Sequence, residues 1–396
     1  MIKNFGPEIS RPRVCFLIST STRHARGGHY WDLAAIAGAL TPDVAPTIVN
    51  IGAFDSPVLQ ALELPVKNIH FTGQKFVRAA RQLVEHLRLH RTTLISVMDV
   101  RVYWAAAFAS LITKVPLILT KCGGPNPGRL FPAPPQLVVF SEEDLEIFQS
   151  SERHSATKIW LIPNRTSRFE ADRARIERLK RRLDPARTTF LMICRLNRPY
   201  LPQILQARSL VRRLNESGVR CQLVLIGTPE DPEVADHLRT EADSFTFVVT
   251  DDEFTMNARE LLEAGDFVVA TGRGLMEAAA AGRPLLTPLL GHPDPLLLSA
   301  TNFNTVFRTN FSLRNVVEGH RAAENFRRIR DAVLNLPDRA SLSQLSRRLF
   351  TAHFDIETAR PLYLEAFRQA TFSPRLEIPS IIRQLYRARR TFRHVT

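Results

Sequence analysis

The residues of this chain best suited to chemistry lie in the run Phe267-Val-Val-Ala-Thr-Gly272-Arg273-Gly274-Leu275-Met-Glu277-Ala-Ala-Ala-Ala-Gly282-Arg-Pro284. Gly272 and Gly274 let a backbone come close to a ligand, and the first turn of a helix starting there presents N–H groups to an anion. Arg273 adds a charge-assisted donor, and Glu277, one turn into the helix, adds a fixed acceptor of the kind a ribose needs. Such a set suits a nucleotide diphosphate. The spacing also fits a plain β-α turn with a solvated glutamate.

Three other clusters stand where strand-like runs end. Arg195-Leu-Asn-Arg198 follows the apolar run 189–194, Thr120-Lys121-Cys122-Gly-Gly-Pro-Asn126-Pro follows 115–119, and Arg26-Gly27-Gly28-His29 follows 11–19. In an open α/β sheet the crevice outside the carboxyl ends of the strands is where ligands bind, so Arg195, Arg198, Lys121, Asn126, Gly27 and Gly28 are candidate contacts. Surface arginines, a solvated lysine and a simple turn are the alternatives at these places.

The elements that must position these residues read as alternating strands and helices. Strands are expected at 11–19, 46–51, 68–71, 93–98, 115–119, 136–140 and 158–162, then at 189–194, 222–227, 245–250 and 267–270. Helices are expected at about 74–90, 99–112, 142–151 and 201–214, with Ser141 as an N-cap before three acidic residues. This alternation predicts parallel sheets with crossover helices. Thr166 to Thr188 is charged and reads as a linker, and from Leu313 the pattern is helical to the end.

Length and composition set bounds. A chain of 396 residues, 44% apolar and 23% charged, can bury two ordinary cores as a soluble globular protein. The best apolar run, Ala105 to Thr120, is broken by Lys114 and Pro116, and the N-terminus lacks a signal-type apolar core, so a cytoplasmic location is expected. Four scattered cysteines without zinc spacing predict reduced core thiols, no disulfide and no metal site. The net charge of +14 attracts anionic surfaces, but basic residues without a recognised module give no reason to expect nucleic acid as a partner. From Ser380 a helix would carry Ile382, Leu385 and Tyr386 on one face and Arg383, Arg387 and Arg390 on the other. Such a helix suits an anionic membrane surface, as a peripheral attachment to the inner face, or packs its apolar side on the first domain.

The order of a glycine loop, then Glu277-Ala-x-Ala-x-Gly282-x-Pro284 running into a strand, resembles the donor-site signature of nucleotide-sugar-dependent glycosyltransferases of GT-B architecture, in particular the large retaining bacterial group. The resemblance runs from Val14 to about Ala370. It implies an α/β fold of two Rossmann-like domains with parallel sheets facing across a cleft. The first, 1–165, would take the acceptor side, and the second, 166–350, the nucleotide sugar. Residues 351–396 would return to the first domain as helices with a basic tail.

The activity implied is hexosyl transfer from a nucleoside-diphosphate sugar to a saccharide or lipid-linked glycan acceptor in polysaccharide biosynthesis, with retention and with neither metal nor cofactor. In the family pattern Glu277 holds the ribose, the amides of Gly272 to Leu275 meet the pyrophosphate, and Arg195 and Arg273 stabilise it. Gly27, Gly28, Lys121, Asn126 and Arg198 are further contacts to donor phosphate or acceptor. Val269, Cys122, Tyr200 and Arg165 stand where the pattern has a second glutamate, a histidine, a lysine and a glycine. No catalytic base is assigned. A nucleotide-sugar 2-epimerase and a non-catalytic nucleotide-sugar-binding relic share the architecture and are the alternatives.

Overall fold

The computed structural model describes residues 11–23, 25–128, 131–319, 321–374 and 378–393. The chain forms two compact units, one of the described residues up to Pro163 and from Ile356 on, the other Asn164–Asp355.

In the first unit strands and helices alternate: β1 (Arg13–Thr20), α1 (Gly28–Leu40), β2 (Ala45–Gly52), α2 (Pro57–Gln60), β3 (Val66–His70) and α3 (Phe76–Leu89). There follow β4 (Leu94–Val97), α4 (Tyr103–Thr113), β5 (Leu117–Lys121), β6 (Gln136–Val139), α5 (Glu142–Gln149) and β7 (Lys158–Leu161). All seven strands pair in parallel, in the order β3-β2-β1-β4-β5-β6-β7. Helices cover both faces, which is why Val14 to Ile18 of β1 form an unbroken apolar run instead of alternating. Cys15 and Leu17 join one buried cluster while Val14, Phe16 and Ile18 join the other. Ser141 caps α5 by accepting from the Asp144 N–H at 3.1 Å.

The second unit holds α6 (Arg173–Lys180), β8 (Thr188–Ile193), α7 (Leu201–Glu216), β9 (Cys221–Ile226), α8 (Pro232–Thr240), β10 (Thr246–Val249) and α9 (Asp252–Thr255). It continues with β11 (Phe267–Val269), α10 (Arg273–Ala280), β12 (Leu285–Thr287), β13 (Leu296–Leu297), α11 (Phe303–Phe307), α12 (Ala322–Leu334) and α13 (Leu336–Leu349). Its sheet runs β10-β9-β8-β11-β12-β13, parallel except for the short antiparallel edge strand β13. The expected linker over 166–188 is part of this core. Asp172 caps α6, and Ile176 and Leu179 are buried against the same cluster as Leu191 and Met276.

Two further helices, α14 (Arg360–Arg368) and α15 (Ile378–Arg393), belong to the first unit. Ala388 and Phe392 of α15 are wholly buried, with Ile381 and Leu385 beside them, and the Phe392 ring lies 5.3 Å from that of Phe71. A Cβ on Gly73, which sits at φ +78°, would come within 2.9 Å of the Arg389 carbonyl, so glycine there allows the helix to seat. The buried stripe is therefore 381, 385, 388 and 392, at spacings of four, three and four. Ile382 and Tyr386, expected on the apolar face, are about 60% exposed (60% and 61%) and share the outer side with the arginines.

Candidate functional site

The second sheet reverses its order between β8 and β11, so the loops leaving these strands flank a crevice of the kind that binds ligands. One loop carries Arg195 and the other Gly272. Gly272 precedes α10 at φ +50°, ψ −126°, a conformation that L side chains rarely adopt. Its N–H donates to the Phe311 carbonyl at 3.3 Å, and Asn310 and Phe311 are themselves both left-handed at φ +54°. Two consecutive non-glycine residues held this way, against the glycine loop, mark the segment 309–312 as strained at the site edge. The Asn310 Oδ1 atom is buried there without a partner. Sequence reading assigned this loop no role, and left-handed Asn-Phe leaves little trace in composition.

The amides of the loop are partly turned inward. The N–H of Gly274 donates to the Thr271 carbonyl at 3.2 Å and that of Leu275 to the Gly272 carbonyl at 3.1 Å, the tight bonds of a helix's opening turn. Arg273 departs from its expected part more clearly. Its guanidinium is buried and donates to Glu277 Oε1 at 2.8 Å, to the Arg165 carbonyl at 3.2 Å and to Thr166 Oγ1 at 2.8 Å. It ties α10 to the start of the unit and fixes Glu277, rather than pointing outward. Arg259 stands near the pair, where burial lowers its pKa against the pull of Glu277. Glu277 thus sits at the switch point as a carboxylate set among arginines.

Across the switch point, Arg195 donates to the Tyr200 hydroxyl at 3.1 Å and lies over its ring at 5.0 Å, with Glu230 3.7 Å away. Tyr200 braces the arginine, whose side chain remains half exposed. Arg198 is a surface arginine paired with Asp231 at 3.2 Å and Glu233 at 2.7 Å. Val269 is buried in β11 against the core.

In the first unit the order reverses between β1 and β4. Gly27 is the N-cap of α1, in extended conformation at φ −66°, and Gly28 is its first residue. Facing them at the end of β4 is a cluster that sequence reading missed. Arg101 grips Asp99 with Nε 2.9 Å and Nη2 2.8 Å from Oδ2, and its Nη1 donates to Ser21 Oγ at 2.9 Å. Ser19 Oγ donates to the same carboxylate, and the Tyr30 hydroxyl donates to the Ser19 carbonyl at 2.9 Å. Burial would raise the Asp99 pKa, but the charge and hydrogen bonds of Arg101, with His29 and Ser19, hold it below the usual carboxylate range. The available signal was an aspartate directly after a buried strand, which sequence reading used only as a helix start.

Lys121 is not a solvated loop residue: its side chain is turned inward. Its Nζ lies 3.2 Å from Asp144 Oδ2 and 3.0 Å from the Gly123 carbonyl, with the side chain only 5% exposed. Asn126 is exposed and donates to Glu143 at 3.2 Å. Cys122 donates its S–H to the Met98 carbonyl at 3.3 Å, and burial raises its pKa well above that of an ordinary thiol. The other thiols, Cys15, Cys194 and Cys221, are also free, and burial pushes each up to about 12. Among the described residues no group of three or more His, Cys, Asp or Glu could hold a metal ion, and no helix is long and apolar enough to cross a membrane.

No family model and no curated protein matches the chain. Solved structures do. A glycosyltransferase from Rickettsia africae superposes with a TM-score of 0.67 at 11% identity, covering 91% of this chain and 98% of its own. Anabaena HepE, crystallised with UDP and glucose, gives 0.63 at 15% identity over 90% and 99%. The UDP-GlcNAc 2-epimerase of Neisseria meningitidis, bound to UDP-GlcNAc, gives 0.54 at 10% identity over 90% and 100%. With two parallel-dominated α/β sheets of this topology, the chain has the GT-B fold.

Proposed function

We propose that the protein is a glycosyltransferase that binds a nucleoside-diphosphate sugar on its second unit and passes the sugar, a hexose, with retention to a saccharide or lipid-linked glycan. The observation that carries this reading is Glu277, fixed by Arg273 at the switch point of the second sheet with Arg195 on the neighbouring strand end. A carboxylate held 2.8 Å from a buried guanidinium has one oxygen fixed and can offer the other to a ribose diol. Arg195, half exposed, would meet the diphosphate and ease its departure electrostatically. Arg273 is a positioning residue in this scheme. With arginine taking the electrostatic part, no metal is required. HepE, whose structure holds UDP and glucose, supports the choice of ligand class.

The epimerase alternative needs a carboxylate free to move a proton. Asp99, the buried carboxylate at the first switch point, is gripped by Arg101 and Ser19, which suits it to hold groups in place. Thermal-shift screening of UDP, GDP and ADP with EDTA present tests the proposal. Stabilisation by at least one, followed by sugar transfer from the matching nucleotide sugar, is expected. Strict dependence on Mn²⁺ or Mg²⁺ would contradict the metal-free account, and sugar inversion at C2 without transfer would replace it with the epimerase.

A further inference from the structure

Helix α15 and the turn between β4 and α4 border an open cavity of about 620 Å³ within the first unit. Arg101, Arg383, Gln384, Tyr386, Arg387 and Arg390 line it. Gln384 is wholly buried, yet neither Oε1 nor Nε2 has a hydrogen-bond partner. An amide left unpaired at both ends in the interior is an unfavourable arrangement unless something completes it. Above it, Arg383, Arg387 and Arg390 form a stripe at i, i+4 and i+7 and make no ion pair among the described residues, and the helix has no acidic residue between Ile378 and Arg393. Like charges at this spacing repel each other in the free protein and are drawn together by an anion.

We propose that this cavity is a binding site for a hydroxyl-bearing phosphate ester. The three arginines take the phosphate oxygens, the Gln384 Nε2 group donates to one of them, and its Oε1 accepts from the ester's hydroxyl. The arginine side chains, long and without partners, swing aside to admit the ligand to the amide beneath. Arg101, clamped by Asp99 and Ser21, forms a fixed wall. The phosphate can come from a soluble sugar or glycerol phosphate or from a lipid headgroup; the exposed Tyr386 in the lining, with the exposed Ile382 one turn before it, favours the lipid. Nothing in this proposal rests on the second unit, so nucleotide binding there is an independent control.

The test uses the full chain, calorimetry with glycerol 3-phosphate, and sedimentation with phosphatidylcholine vesicles with and without phosphatidylglycerol. Binding to at least one phosphate source is expected, and the double variant Arg387→Gln/Arg390→Gln should lose tenfold or more. Gln384→Leu should raise the melting temperature, because it removes an unpaired amide, and should also lose tenfold or more in affinity. Binding of glycerol phosphate as well as vesicles assigns recognition to the headgroup, and binding to the soluble ester alone assigns a soluble ligand. Both outcomes support the site. No binding by the wild type, or Gln384→Leu binding like the wild type, overturns it, as does equal attraction to phosphatidylserine vesicles that Gln384→Leu leaves intact. Should Gln384→Leu not fold, unchanged binding by the arginine double variant overturns it instead.

Discussion

Lys121 places its ammonium against Asp144 with almost no exposure, so removing one partner strands a buried charge. Lys121→Met is expected to lose about 3–5 kcal/mol of stability in chemical denaturation, while a lysine that only touched ligand would leave stability unchanged. The same contrast applies to Arg273, whose donors end on Glu277, Arg165 and Thr166. Residue type and spacing identified both cations but not the direction of their side chains, because the partners lie 23 and 107 positions away in sequence. The turn that carries Glu277 was legible for the opposite reason. Its surroundings, from Gly272 to Pro284, are local, and local turns carry their own signals. The Asp99 cluster was hidden because Ser19 and Ser21, 80 positions away, reach Asp99 and Arg101 only once β1 and β4 pair.

At the scale of elements, α3 shows what burial does to a titrating group. His86 lies on its buried face near Thr47, with the His90 ring at 4.3 Å, and its pKa is lowered to about 4 by burial, then by the charges of His90 and Lys67. A histidine whose folded pKa lies below its unfolded value of about 6.5 favours the folded state fully above that value. As the pH falls from about 6.5 towards about 4, the unfolded chain takes up the proton first and stability declines. His86→Gln should flatten this part of the melting-temperature profile relative to wild type, whereas parallel profiles would show that His86 is not responsible. The strands were readable as elements because fully buried parallel strands are nearly continuous apolar runs. Helix α6 was not, since only Ile176 and Leu179 among its charged neighbours reach the core. In α15 the stripe was displaced because Ala388, a small residue, carries part of the contact in place of the more conspicuous Ile382 and Tyr386.

At the scale of the molecule, the alternation of strands and helices already implied two α/β units, and the superpositions over at least nine tenths of the chain establish the GT-B fold. The fold alone is shared by enzymes of different chemistry, so function rests on the site. The central claim is that Glu277 belongs to a nucleoside-diphosphate site, and calorimetric titration of UDP, GDP and ADP into wild type and Glu277→Ala, with EDTA present, tests it most directly. Because Glu277 also pairs with the buried Arg273, the variant is expected to melt somewhat lower while remaining folded by circular dichroism. The account predicts that the nucleotide bound by the wild type binds the variant about 1.5–3 kcal/mol more weakly, the loss of a charged hydrogen bond; equal affinity in a folded variant, or no binding of any nucleoside diphosphate by the wild type, would contradict it.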